Sequence, residues 1–224
     1  RIFAPNLEEQ KRIASFFTVL DKKIAQLKQK KALLEQYKKG VMQKLFSQEL
    51  RFKDENGKEF PDWEMKQVKD IFKVTRGNVL AMSLVSDVQE KENQYEVYSS
   101  QTKNNGLAGY YKDYLFENAI TWTTDGAGAG DVNYRKGKFY CTNVCGVLIS
   151  NEGYSNLFIA EIINSVSRKY VSYVGNPKLM NNVMAEIQIF IPSSVNEQTK
   201  IANFLSAINE KINRTENQIQ QTQQ

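Results

Sequence analysis

Apolar residues recur at alternating spacings of four and three along the beginning of the chain. This is a heptad seam, in which the apolar positions share one helix face. Glu8 and Glu9 suit the positive end of a helix dipole. The pattern predicts a helix over about 7–46, roughly 60 Å long at 1.5 Å per residue, which needs a partner along its length. The apolar seam is Ile13, Phe17, Leu20, Ile24, Leu27, Leu34, Val41 and Leu45, and Lys31 and Lys38 interrupt it.

The same pattern returns near the other end of the chain, after IFIP where the first copy follows IFAP. At a constant offset of 188, seven of sixteen positions coincide: Glu9, Gln10, Ile13, Ala14, Phe16, Lys23 and Ile24. This spacing is too long for a solenoid repeat. Because each of the two helices has an apolar seam, they are expected to pair antiparallel, within the chain or with a second molecule. In the second copy the seam is Ile201, Leu205, Ile208, Ile212 and Ile219, with Thr215 inside it.

The residues between the two helices have the pattern of a mixed domain. Short β-branched and aromatic runs predict strands, and one longer apolar run predicts a helix over 156–166. We expect an α+β (mixed α/β) domain with a curved mixed sheet, flanked by two long helices forming an antiparallel coiled coil. The predicted units are 1–47, 48–188 and 189–224, and the predicted strands are 95–99, 114–116, 120–124, 138–142, 144–149 and 187–191.

Composition narrows the chemistry. The net charge of +5 divides into +7 for 1–47, −2 for 48–188 and 0 for 189–224, so any nucleic-acid role of the slightly acidic middle domain would have to rest on local groups. The chain has no histidine, which excludes histidine-based zinc sites and triads. Cys141 and Cys145 lie in one strand-like stretch, which predicts reduced thiols about 13 Å apart at 3.3 Å per residue.

The chain shows neither a membrane-length apolar run nor a signal peptide, which predicts a cytoplasmic protein without a membrane partner. Its first residue is Arg1 rather than Met, which suggests a part of a longer protein.

The glycine-rich run over 125–131 follows a predicted strand and is similar to a phosphate-cradling loop. The segment after it has a strand pattern rather than a helix pattern, so a turn with positive φ is favoured. Asn176-Pro177 lacks the second proline and the aromatic residue of the amino-methyltransferase signature. We therefore predict no catalytic residues, no metal site and no cofactor.

Polar loops carry the side chains that contact base edges. Amides suit adenine, Lys and Arg suit guanine or phosphate, and hydroxyls suit either. Ordinary solvated turns remain the alternative. The candidate DNA-binding residues are Ser100, Gln101, Thr102, Lys103, Asn104, Asn105, Thr124, Asp125, Arg135, Lys136, Tyr173, Asn176, Lys178, Asn181 and Asn182, and the candidate helix-pairing residues are Ile13, Phe17, Leu20, Ile24, Leu27, Leu34, Ile201, Leu205, Ile208 and Ile212.

Five segments, spread along the chain, show a likeness to a known family, and the likeness extends over essentially the whole chain. They are EEQKRIASFFTVLDKKIAQLKQKKALLEQYKKGVMQKLF, RFKDENGKEFPDWE, VYSSQTKNNGLAGYY, TWTTDGAGAG and IFIPSSVNEQTKIANFL. Combined, they resemble the specificity subunit of type I restriction-modification systems.

The resemblance implies that 48–188 is a target-recognition domain that reads one half of a split double-stranded DNA sequence. It implies that the helices pair, separate two recognition domains and bind modification subunits, with restriction subunits joining the complex. Catalysis would then belong to those partners. Because the chain has a single such domain, it resembles half of a subunit and could dimerise through its helices. The alternatives are a methyltransferase fragment with its own recognition domain and a structural coiled-coil protein.

Overall fold

The computed structural model describes residues 5–223. The apolar part of the IFAP segment therefore lies outside the described residues. The chain divides into two compact units, one formed by Arg1–Arg51 with Asn203–Gln224 and the other by Phe52–Ala202.

The helical unit contains α1 (Leu7–Phe46) and most of α5 (Val195–Gln223). The predicted bounds of the first helix are confirmed. A local signal in the sequence sets where this helix begins. The Asn6 side chain accepts a hydrogen bond of 2.9 Å from the backbone amide of Glu9, which caps the first turn. None of the helices in the described residues is long and apolar enough to cross a membrane.

An ion pair of 2.7 Å between Lys31 and Glu216 joins the two helices at the first lysine of the seam. In an antiparallel pair with this register, α5 ends seven residues further on, opposite Ile24. The burial along α1 agrees with this arrangement. Leu20, Ile24, Leu27 and Leu34 are partly buried, whereas Ile13 and Phe17 lie beyond the end of α5 and are 43% and 56% exposed. These last two take no part in helix pairing within the described chain.

The second unit contains a six-stranded mixed sheet and a two-stranded antiparallel one. The larger sheet has the order β2-β7-β5-β6-β3-β4, in which β3 and β6 form the parallel pair; β1 and β8 form the smaller sheet. An isolated bridge between Asn78 and Thr142 also joins the residues after β2 to the turn between β6 and β7. The strands are β1 (Trp63–Gln67), β2 (Lys73–Arg76), β3 (Tyr95–Tyr98), β4 (Leu107–Tyr111), β5 (Phe116–Thr123), β6 (Val132–Cys141), β7 (Cys145–Ile149) and β8 (Gln188–Pro192).

Three helices complete this unit: α2 (Val68–Ile71), α3 (Leu157–Ser167) and α4 (Asn181–Glu186). Helix α3 is the predicted helix, and it packs against β6 and β8. Phe158, Ile163 and Trp122 are almost fully buried in the core. Gly146 leaves room for the Trp122 ring, because a Cβ there would lie 2.1 Å from a ring carbon.

The first turns of α5 pack into this unit through buried polar groups. The indole N–H of Trp63 donates to Glu197 at 3.3 Å, and the amide of Gln198 donates to the Pro192 carbonyl at 2.8 Å. Glu197, Gln198 and Ile201 are fully buried. The second copy of the repeat therefore begins as part of the mixed domain.

The expectation that about 13 Å of extended backbone separates Cys141 and Cys145 is wrong. They end β6 and begin β7, and a turn closed by the Cys145 amide and the Thr142 carbonyl at 3.0 Å separates them. The Cys141 sulfur lies 4.0 Å from the Cys145 carbonyl oxygen. Both thiols are free and buried, and burial holds the pKa of Cys141 well above its ordinary value.

Candidate nucleic-acid interface

The amide loop, which we define as residues 99–106, connects β3 to β4 through an unusual backbone. Asn104 and Asn105 have φ of 50° and 52°, and Gly106 follows with φ of 86°. Asparagine tolerates this left-handed region better than most residues. The Ser99 amide donates to the Gly106 carbonyl at 2.9 Å and closes the loop, and the Gln101 side chain donates to the Leu107 carbonyl. The closed backbone leaves Thr102, Lys103, Asn104 and Asn105 exposed, while Ser100 is half-buried.

Arg135 supports the amide loop from beneath. Its guanidinium donates to the Asn105 carbonyl at 2.6 Å and to the Thr121 hydroxyl at 3.0 Å, and it lies 3.6 Å from the centre of the Tyr98 ring. The Arg135 residue is only 9% exposed. Burial lowers the pKa of this guanidinium from its ordinary value, and the neighbouring Tyr98 opposes that shift. The predicted DNA-contacting role of Arg135 conflicts with this position, because the guanidinium is buried and already donates to the Asn105 carbonyl and the Thr121 hydroxyl.

The glycine loop, residues 124–131, connects β5 to β6. Gly126 and Gly130 have φ of 87° and 86°, and a strand follows the loop, which confirms a turn rather than a helix start. Gly128 faces the amide loop, because a Cβ there would lie 3.3 Å from the Thr102 methyl group. The two loops are therefore neighbours. The hydroxyl of Thr124 donates towards the Val144 carbonyl at 2.9 Å, and Thr124 is completely buried.

A third segment, the hairpin of residues 172–178, packs against the glycine loop. The amides and carbonyls of Ser172 and Lys178 exchange hydrogen bonds of 2.8 and 2.9 Å. The hairpin is anchored by the Gly126 amide, which donates to the Pro177 carbonyl at 3.0 Å, and by an ion pair of 3.6 Å between Lys178 and Asp125. Tyr173, Asn176 and Lys178 are exposed.

A polar cavity of about 140 Å³ lies between the amide loop and the glycine loop. Most of its walls carry amide, hydroxyl or carboxylate groups, so it offers both donors and acceptors. Asn164 of α3 contributes to the wall and accepts a hydrogen bond of 2.9 Å from the Val132 amide. Its lining is Gln101, Thr102, Asn105, Gly106, Thr123, Asp131, Val132, Asn133 and Asn164.

The structure thus joins three of the loop regions that the sequence indicated separately. Asn181 and Asn182 follow the hairpin at the start of α4, where Asn181 accepts a hydrogen bond of 3.3 Å from Arg76. Lys136 is exposed on β6 beside a bulge, and no described contact links it to the loops. Asn133 and Asn164 were missed, because each lies inside a regular element whose pattern indicates packing.

Comparisons with known proteins agree with this architecture. Residues 61–223 match the family model described as the type I restriction modification DNA specificity domain. A putative type I specificity subunit of Mycoplasma pneumoniae is 33% identical over 212 residues, covering 93% of this chain and 81% of the relative. Another from the same organism, described as an N-terminus, is 40% identical over 142 residues, covering 62% of this chain and 74% of the relative.

Solved structures share the fold at low sequence identity. The S subunit of a type I restriction-modification system from M. genitalium has a TM-score of 0.74 at 16% identity, covering 99% of this chain and 59% of that chain. The HsdS subunit from Thermoanaerobacter tengcongensis gives 0.51 at 12% identity, covering 95% and 54%. This chain is therefore little more than half as long as these two subunits.

These matches do not favour a methyltransferase fragment or a purely structural coiled coil. The family consists of non-catalytic specificity subunits, in agreement with the expectation that the chain is not itself an enzyme. The chain belongs to the family of type I restriction-modification DNA specificity domains.

Proposed function

We propose that the mixed domain reads one half of a split double-stranded DNA target through the amide loop, the glycine loop and the hairpin. The observation that carries the proposal is the contact between these three segments, which gives one polar surface with exposed amides and lysines. Asn104 and Asn105 present amides that can pair with adenine, and Lys103 can reach guanine or a phosphate.

Two of the candidate DNA-binding residues are proposed to support the loops and not to contact DNA. Thr124 and Arg135 are buried and already hydrogen-bonded, so we assign them to holding the glycine loop and the amide loop in place. The exposed or partly exposed candidates keep the direct role: Ser100, Gln101, Thr102, Lys103, Asn104, Asn105, Asp125, Lys136, Tyr173, Asn176, Lys178, Asn181 and Asn182.

The helices support a scaffolding role in a complex with modification and restriction subunits, where the chemistry would reside. The relatives are described as type I specificity subunits. One of them is the specificity subunit of the MpnII restriction enzyme of M. pneumoniae, and the match with this chain covers 45% of that subunit. Because such a complex would act on DNA inside the cell, we propose that the chain is cytoplasmic.

The two copies of the repeat support a second recognition domain at α1. Glu9, Gln10 and Ile13 are identical to Glu197, Gln198 and Ile201, yet the first three are exposed and the second three are fully buried against a mixed domain. The local geometry is also repeated, because Gln10 donates to the Pro5 carbonyl at 2.7 Å as Gln198 does to Pro192. We propose that a second recognition domain covers the start of α1.

A matched pair of substitutions tests that placement. Ile13→Glu introduces a charge at the position equivalent to the buried Ile201, and should remove the second half-site from the methylated sequence. Val19→Glu is the control, since Val19 is 65% exposed and its equivalent, Ala207, is exposed as well. Equal methylation patterns for the two variants would contradict a second domain at this surface.

The reading role is tested in the enzyme assembled with its modification subunits. Lys103→Ala combined with Asn104→Ala should weaken specific duplex binding by about 1–3 kcal/mol for each base contact removed. Lys112→Ala, an exposed lysine after β4, is the control and should leave binding unchanged. Loss of one base preference indicates a base contact, whereas equal loss on all duplexes indicates a phosphate contact. Unchanged binding by the double variant would remove the amide loop from the interface.

A further inference from the structure

The tip of the hairpin is apolar, although the surface around it is polar. Val174 is 93% exposed, more than any other large hydrophobic side chain in residues 5–223, and Tyr173 beside it is 67% exposed. Single exposed apolar residues are common on protein surfaces and need no special account. The position of this one, on the segment that adjoins the glycine loop, is what calls for an explanation.

The hairpin holds its tip in a defined place. Besides the two hydrogen bonds between Ser172 and Lys178, its C-terminal end is fixed by the Leu179 amide, which donates to the Thr124 carbonyl at 2.9 Å. The carbonyl of Leu179 in turn accepts a hydrogen bond of 3.0 Å from the buried Trp122 indole. Gly175, with φ of 77°, makes the turn at the tip. Val174 is therefore presented on a supported element.

The base edges in the major groove of DNA carry one apolar group that such a side chain can contact. That group is the 5-methyl group of thymine, and the major groove admits a two-stranded ribbon of the width of a hairpin. Valine is short and stiff at χ1, which suits a fixed contact with a methyl group. Side chains that wedge between base steps are mostly longer, such as Phe, Leu, Ile or Met.

We propose that Val174 makes an apolar contact with the 5-methyl group of a thymine in the half-site that this domain reads. The inference rests on the proposed reading function and adds a specificity-determining residue to it. Lys178 at the base of the hairpin has a half-exposed side chain, and it can contact the adjacent phosphate while the tip enters the groove.

Replacement of single thymines by uracil tests the contact, because this change removes the methyl group and keeps the base pairing. In the assembled enzyme, one such replacement in the half-site should weaken binding by about fourfold, the value expected for one buried methyl-sized group. Val174→Ala should bind the thymine and uracil duplexes equally. Val88→Ala, at a residue 61% exposed on a different loop, should keep the full discrimination.

The outcomes separate this inference from the function on which it rests. If the unsubstituted enzyme does not prefer its mapped half-site over a scrambled duplex, the reading function itself fails. If it prefers the half-site but binds uracil and thymine equally at every position, the methyl contact is overturned. The same conclusion follows if Val174→Ala keeps the discrimination, or if the half-site contains no A·T pair.

Discussion

Replacement of Arg135 by alanine should destabilise the mixed domain and loosen the amide loop. The change removes two hydrogen bonds from a charged donor, each worth about 1.5–3 kcal/mol, and the stacking on Tyr98, worth about 2 kcal/mol when desolvated. The relief from burying a charge offsets part of that sum. A net loss of about 3–5 kcal/mol remains, because the Asn105 carbonyl and the Thr121 hydroxyl lose their partner.

Thermal unfolding of the purified chain measures this loss. At about 2–4 °C per kcal/mol for a chain of this size, Arg135→Ala should lower Tm by roughly 10 °C. Lys136→Ala is the control at the neighbouring exposed position, and it should change stability by no more than about 0.5 kcal/mol. Arg135→Met fills the same space without the donors, so it should recover much of the stability but not DNA binding by the amide loop. An Arg135→Ala variant that melts with the unsubstituted protein would refute the supporting role.

Three further predictions concern the backbone and the helices. Gly77→Ala should lower the free energy of unfolding by about 3 kcal/mol in a urea titration, at the upper end for overpacking, because its Cβ would lie 1.9 Å from the Cys141 carbonyl oxygen. Gly40→Ala in α1 is the control: its Cβ meets no atom within 4 Å, so this variant should be more stable by about 0.5–1 kcal/mol. Lys31→Leu should raise Tm. The ion pair with Glu216 that it removes contributes at most about 1 kcal/mol because it is partly exposed, and leucine adds apolar contact between α1 and α5. A lower Tm would contradict the helix register. Four residues inserted near Gln29 would lengthen α1 by about 6 Å. The unread spacer between the two half-sites of the methylated sequence should then grow by one or two base pairs, at about 3.4 Å each. A spacer of unchanged length would show that α1 does not set the distance between the half-sites.

The features predicted well from the sequence are those that depend on neighbouring residues. The first helix has the expected bounds because the heptad spacing and the Asn6 cap are both local signals. The glycine loop was assigned correctly as a turn because the strand pattern after it was visible. The mixed sheet was expected, but β1, β2 and β4 were not predicted, because short half-exposed strands have little apolar alternation of their own.

The features predicted poorly depend on contacts between distant residues. Arg135 lies close in sequence to two exposed lysines, Lys136 and Lys138, so it was assigned to the surface, although it is only 9% exposed. Neighbouring residues in the sequence do not indicate that Asn164 lines the polar cavity or that Val174 is exposed. Both features are determined by how α3 and the hairpin pack in the folded domain.

Methylation-site mapping after exchange of the amide loop tests directly whether this surface reads DNA. Residues 100–105 would be replaced by the corresponding loop of a related specificity subunit, and DNA from cells carrying the complete system would be mapped before and after the exchange. We expect new bases at one or two positions of one half-site, with the other half-site and the spacer unchanged. An unaltered methylated sequence from an active enzyme would contradict the assignment of this surface to DNA reading.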